Sequence, residues 1–402
     1  MRKSERDMGT AFSRLVWAAA INRFGDGFFS IGVSWLIYTH THSVLPLGLL
    51  WAGYYLVVGV LQSALAPHVD ATDRRQLLVR VNLLRGAIVL APAVLGVFGL
   101  YRVFELYPAF VLLGIAGIPA RSAVSAMIPA LVGEERLVAA NARFAGVTEA
   151  MYLVGPAAAG LVLAALGARS GLVIDGASFV AAAVLMGSLP PTRSKPSVGE
   201  EAYWPALWSG ARTVWSDRRL RLLAALSILV QFTDVAFIVL SVPLVRSVLD
   251  GTTRGVGFLE ASLSGGYLLG AFLMGRAARS IPTTLRFRLV LLFCLATAGI
   301  VLIPALWWAF ATQVVGGVAD AIFQVEWQAT FQASVADSHL GRVFMWQAGA
   351  QMGAAAVGAL LAAGIALAFG IPAGFAVIGG LGAVLAAVVL RRLTRLPRGA
   401  PA

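Results

Sequence analysis

A chain of 402 residues that is 59% hydrophobic and only 12% charged excludes a soluble domain, because so much apolar surface lacks polar cover. A net charge of +12 would suit a nucleic-acid partner, but the placement of the arginines argues for membrane topology instead. The single cysteine, Cys294, excludes a disulfide framework and a multi-cysteine metal site.

Apolar runs of about 20 residues, the length that crosses ~30 Å of hydrocarbon, recur along the chain. They predict helices near 14–39, 45–67, 77–100, 104–127, 140–167, 170–190, 220–246, 255–275, 286–306, 308–333, 343–369 and 371–391. The first run is too long for a signal-peptide core and lacks a small-residue cleavage pattern, so it reads as a true span. The expected fold is an all-α polytopic membrane protein of twelve transmembrane helices. The expected parts are an N-terminal tail (1–13), a six-helix bundle (14–190), a linker (191–219), a second six-helix bundle (220–391) and a basic tail (392–402).

With the N-terminus inside, 24 of the 31 Lys and Arg residues fall on the inner side. Four lie outside (Arg102, Arg169, Arg246, Arg254), and Arg23, Arg85 and Arg121 lie within spans. This bias predicts that both termini are cytoplasmic. The basic charge is then a topology signal, with the bilayer as partner and no nucleic acid. In the linker, Trp204, Leu207, Trp208, Ala211, Val214 and Trp215 recur at helical spacing beside Arg212, Arg218 and Arg219. That pattern predicts a helix lying on the inner leaflet.

The two bundles echo each other. A shift of 212 sets Gly53 on Gly265, Tyr55 on Tyr267, Arg74 on Arg286 and Pro92 on Pro304. A shift of 203 sets Gly155 on Gly358 and Gly167 on Gly370. A shift of 208 sets Phe24 and Asp26 on Phe232 and Asp234. Six spans per repeat give both copies the same orientation, hence a pseudo-twofold along the membrane normal with the substrate near mid-membrane.

The first span holds "INRFGDGFFSIG", with Asn22, Arg23 and Asp26 inside it. A charge at a helix centre costs roughly 2.5–3.5 kcal/mol on insertion scales. Polar stripes in spans should therefore face protein or water. Asn22, Asp26, Ser30 and Ser34 follow steps of four on the first span. Ser227, Gln231, Asp234 and Ser241 share a face of the seventh. On the tenth, Gln313, Asp320, Gln324 and Gln328 line one side with Trp327 beside it, and Glu326 lies about 120° away. Gln347 and Gln351 are one turn apart on the eleventh.

The candidate proton carriers are Asp26, Asp234, Asp320, Glu149 and Glu326, with Asp320 favoured over Glu326. Arg23 stands at i,i+3 from Asp26, so a local ion pair is the plain alternative for both. Glu149 precedes a Gly-Pro motif by about one turn and reads equally as a brace. Candidate cavity residues are Asn22, Arg23, Phe29, Ser30, Gln231, Gln324, Trp327, Gln328, Gln347 and Gln351. Phe28, Trp35 and Phe331 are further aromatics near that stripe. Arg85 reads as snorkelling or structurally paired, Arg121 as an anchor at its span's inner end, and Asp175 and Glu260 as interfacial.

The chain has two lysines, in "MRKS" and "TRSKP", so no Walker A loop exists. No Asp-Lys pair of a phosphorylated-Asp pump is present either, which excludes ATP-driven transport by this chain, and the lack of a nucleophile–base arrangement or Rossmann fingerprint argues against catalysis. His40 and His42 lack a carboxylate partner, so no metal is expected. The energy source left is an ion gradient. An acid in the membrane can take a proton from one side and release it to the other, and one charge falling through 100 mV yields roughly 2.3 kcal/mol.

Several stretches now resemble the major facilitator superfamily, in its macrolide-efflux and enterobactin-exporter branch. "IPARSAVSAMIPALVGEERLVAANARF" is similar to that branch's fourth-to-fifth turn, which includes Arg121. "VGPAAAGLVLAALG" resembles the Gly-Pro packing motif of exporters, at Gly155, Pro156 and Gly160. "IDGASFVAAAVL", "FGDGFFSIGVSWLIY" and "SHLGRVFMW", with Arg342, fit the same branch. The second-to-third loop "APHVDATDRRQLL" keeps Asp70, Arg74 and Arg75 of the family's latch, but has Ala66 for Gly and Ala71 for Arg. The resemblance implies alternating access and proton-driven export by a monomer in a bacterial cytoplasmic membrane. The cargo would be amphipathic small molecules such as drugs or a siderophore, and no cofactor beyond the proton gradient is implied. A lipid or lysophospholipid flippase, or a nutrient importer, is the alternative within transport. A transport-inactive membrane sensor is the rival from another class.

Overall fold

The computed structural model describes residues 2–65, 73–98, 102–191, 203–277 and 280–395. Among them are thirteen α-helices: α1 (Arg2–Thr41), α2 (Leu45–Leu65), α3 (Arg74–Val97), α4 (Leu106–Val132), α5 (Leu137–Leu166), α6 (Ser170–Gly187), α7 (Tyr203–Ser216), α8 (Arg218–Pro243), α9 (Thr253–Ala277), α10 (Thr283–Gly299), α11 (Leu306–Ala333), α12 (Asp337–Phe369) and α13 (Ile371–Thr394). Ten of these are long and apolar enough to cross a membrane. The polar α1 and the 17-residue α10 complete the twelve spans. The protein is thus an all-α multi-pass membrane protein with two pseudo-symmetric sets of six, and α7 lies between them in the chain.

Local chemistry sets the helix ends. Asp73 accepts the Arg75 N–H at 2.9 Å and caps α3. Asp217 accepts the Arg219 and Leu220 N–H groups and caps α8. Gly167 and Gly370, matched by the repeat, end α5 and α12 with φ of 83° and 91°. Their N–H groups bond back to Leu163 O and Ala366 O. Only glycine reaches that backbone conformation without strain.

The helices pack into two compact units: residues 1–40, 60–200 and 252–261, and residues 41–59, 201–251 and 262–402. α2 and α9 each contribute to both, so the packing does not follow the chain division at the linker throughout. Small residues let these stretches approach. In the first unit a Cβ on Gly160 would meet Thr253 O at 2.8 Å and Gly257 Cα at 2.9 Å. The Thr253 hydroxyl donates to Gly160 O at 3.1 Å. The neighbouring Gly155 lies under α1, where an added Cβ would stand 3.1 Å from Phe24 O. In the second unit its repeat mate Gly358 lies under Phe232 O at 2.7 Å by the same measure. Phe24 and Phe232 are themselves repeat mates. The duplicated sequence is thereby reproduced as a duplicated helix crossing.

The linker segment forms the helix α7. Its apolar stripe splits: Ala211 and Val214 are buried against the second unit, while Trp204, Trp208 and Trp215 stay exposed. Arg342, expected to gate or brace, anchors this helix, with Nη1 donating to Ser209 Oγ at 3.5 Å. Gly210 lies against the Arg342 carbonyl with no room for a Cβ. Gly210→Val is expected to lift α7 from α12, read as faster trypsin cleavage around residue 217 in the purified protein. Asp70, Ala66 and Ala71 of the latch loop, residues 192–202 of the linker and residues 396–402 of the tail lie outside the described residues.

Candidate functional site

In the first unit the span charges converge. Asp26 on α1 meets Arg85 of α3 at 3.3 Å and its neighbour Arg23 at 3.4 Å. The Arg85 guanidinium lies 4.0 Å over the Phe179 ring, and Arg23 lies 4.2 Å over Tyr152 of α5. Glu149, one turn from Tyr152, is near enough to interact with Arg23. Asp175 of α6 faces both Asp26 and Arg85 and is fully buried, with Ser178 Oγ donating to it at 3.3 Å. The interfacial reading of Asp175 is therefore corrected: its helix face turns into the bundle. Gly117 on α4 leaves space for two guanidiniums; a Cβ there would stand 3.3 Å from Arg121 Nη1 and 3.9 Å from Arg85 Cζ. Asn22 donates to Asn82 Oδ1 at 2.7 Å, and Asn82 is fully buried, donating in turn to Leu78 O.

The second unit carries a different set. Asp234 of α8 and Asp320 of α11 lie close enough to interact, with Gln324 beside Asp320. Asp320 Oδ1 is buried without a hydrogen-bond partner. No Lys or Arg among the described residues is ion-paired with either acid. The offsets that relate the halves set Arg23 on Gln231, Arg85 on Thr297, Arg121 on Gln324 and Gly117 on Asp320. Every cation of the first cluster is thus replaced by a neutral side chain, and an acid stands where the first unit keeps a glycine. One site is an internally compensated cluster, and the other is a pair of carboxyls with no ion-paired cation among the described residues.

Several expected cavity residues belong to the core instead. Phe29 is buried and stacks on Phe110 at 5.6 Å. Trp327 stacks on Phe331 at 4.9 Å, and its Nε1 donates to Leu223 O at 2.7 Å. Trp327→Phe removes that bond, with an expected loss of about 1 kcal/mol in thermal unfolding. Gln347 is fully buried and donates to Ser227 Oγ and Ala224 O, tying α12 to α8. Glu326 is ion-paired to Arg286, so it braces α11 to α10. Helical periodicity places a residue on a face; it does not say which neighbour that face meets. Ser30, Gln231, Gln324 and Gln351 remain partly exposed and Gln328 exposed. Of the latch, Arg74 Nη1 donates to Ala126 O at 3.0 Å, joining α3 to α4, while Arg75 is half-exposed. Asn82 and Arg85 were legible only as a polar pair one turn apart in "RVNLLRG"; their partners on α1 were not.

The sequence profile of the Major Facilitator Superfamily matches residues 15–306. A search of curated protein sequences finds no match to this chain. Solved structures are similar in fold. The nucleoside transporter NupG superposes with a TM-score of 0.77 at 10% identity, covering 96% of this chain and 100% of its own. A bacterial homolog of the human lysosomal transporter Spinster gives 0.70 at 16%, covering 98% and 99%. A POT family transporter in complex with a thioalcohol-conjugated peptide gives 0.73 at 14%, covering 96% of each. With most of its length matched by the profile and its helices arranged as in these transporters, this chain belongs to the Major Facilitator Superfamily.

Proposed function

We propose that the chain is a proton-coupled exporter of amphipathic, preferably cationic, small molecules, and that Asp234 and Asp320 carry the exchangeable protons. The observation that carries this reading is the pair of carboxyls in the second unit, with no cation ion-paired to either among the described residues. Two acids close together within membrane spans must hold protons or meet a positive charge. Proton and cationic substrate then compete for one site, which couples their flows. Asp26, by contrast, is held by two arginines, and its role shifts from carrier to structural partner. The arginine bias supports cytoplasmic termini in a bacterial inner membrane, and the exporter-branch motifs support drugs or siderophores as cargo.

The test is transport by the purified chain in liposomes with an imposed pH gradient, screening cationic dyes, antibiotics and siderophores. Accumulation that collapses on adding a protonophore is the expected result. No flux above empty liposomes for any of them would remove the reading.

A further inference from the structure

The second unit has a cavity of about 410 Å³ where α8 and α10 begin and α13 ends. Its floor is apolar and includes the buried Leu223, Phe287 and Leu390. Its rim carries Arg219, Arg288 and Arg391, all exposed and none ion-paired among the described residues. A second cavity of about 430 Å³ is rimmed by Arg218, Arg221 and Arg392. Successive residues on a helix point about 100° apart, so the pairs 218/219 and 391/392 each serve both hollows.

The setting selects the occupant. The cavities lie at the ends of spans, on the unit that also bears α7 with its exposed tryptophans, a side-chain type that concentrates at the headgroup level. A soluble phosphate has no use for a floor of leucine and phenylalanine. An amphiphile with an anionic head uses both parts: arginines grip phosphate oxygens in pairs, and an acyl chain covers the apolar wall. We propose that the 410 Å³ cavity is a binding site for one anionic phospholipid.

The site is also wired to the frame. Thr283 and Thr330 line the cavity. Thr283 Oγ1 accepts from Arg286 Nη2 at 3.0 Å, and Thr330 Oγ1 donates to Glu326 Oε1 at 3.4 Å. Arg286 and Glu326 form the ion pair that ties α10 to α11. A seated headgroup is thus one hydrogen bond away from that tie.

The experiment titrates phosphatidylglycerol onto the detergent-purified full chain and counts bound lipid by native mass spectrometry. Three forms are compared: wild type, R219Q/R288Q/R391Q, and the control R80Q/R102Q/R254Q with the same loss of charge. Wild type and control are expected to bind saturably, and the cavity variant on the order of a hundredfold more weakly. Leu291→Trp, which fills the cavity wall with all charge intact, is expected to lose the lipid too and serves if the triple variant does not fold. Equal affinity in wild type and in whichever cavity variant folds overturns the proposal. So does full displacement of the lipid by inorganic phosphate, which would make the occupant a soluble anion.

Discussion

Asp320→Asn is expected to reduce pH-gradient-driven accumulation to the level of empty liposomes while leaving substrate counterflow intact. The amide has the size and polarity of the acid, so the helix crossing of α11 on α8 is kept. It cannot bind and release a proton, so the energetic link is cut, while Asp234 is left to meet the cationic substrate in counterflow. Asp234→Asn should behave alike, because the two carboxyls lie close enough to interact. Asp26→Asn should behave differently. Asp26 compensates Arg23 and Arg85 within a cluster that also holds Asp175 and Glu149. Its loss leaves an excess of positive charge inside the first unit, so folded yield falls, while the protein that folds keeps its response to the gradient. Gradient-driven uptake and counterflow, measured side by side, separate the outcomes. Full coupling in both Asp320→Asn and Asp234→Asn would refute the assignment of the proton to the second unit.

Glu326→Ala is expected to lose on the order of 3 kcal/mol of stability, because it strands the mostly buried Arg286 guanidinium without an anionic partner. The double replacement R286M/E326L removes both charges and should recover most of the loss, since an apolar pair of similar volume needs no compensation. Thermal unfolding of the purified proteins in one detergent reads both. The pair also distinguishes a brace from a carrier: R286M/E326L should retain proton-driven transport. If it loses coupling but not stability, Glu326 belongs to the proton path after all.

Much of the architecture was legible because membrane crossing imposes blunt rules. Span length, arginine bias and the near-repeat of Gly155 and Gly358, or of Gly167 and Gly370, follow from hydrocarbon thickness, surface charge and backbone sterics. Each is a property of a residue and its near neighbours in the chain. The site was only half legible. Stripes of polar residues marked the helices that carry Asp26, Asp234 and Asp320, yet Trp327, Gln347 and Phe29 turned out to be core, and Asp175 turned out to be central rather than interfacial.

What the amino-acid sequence determined by itself was the number and kind of spans, their duplication, and the presence of acids too costly to be incidental. What only the tertiary structure decided was which acids are compensated. Asp26 and Asp234 occupy equivalent places in the repeat, but one meets arginines from α1 and α3 and the other meets a second carboxyl from α11. That difference is electrostatic, and electrostatic energy depends on distance across helices that lie far apart in the chain.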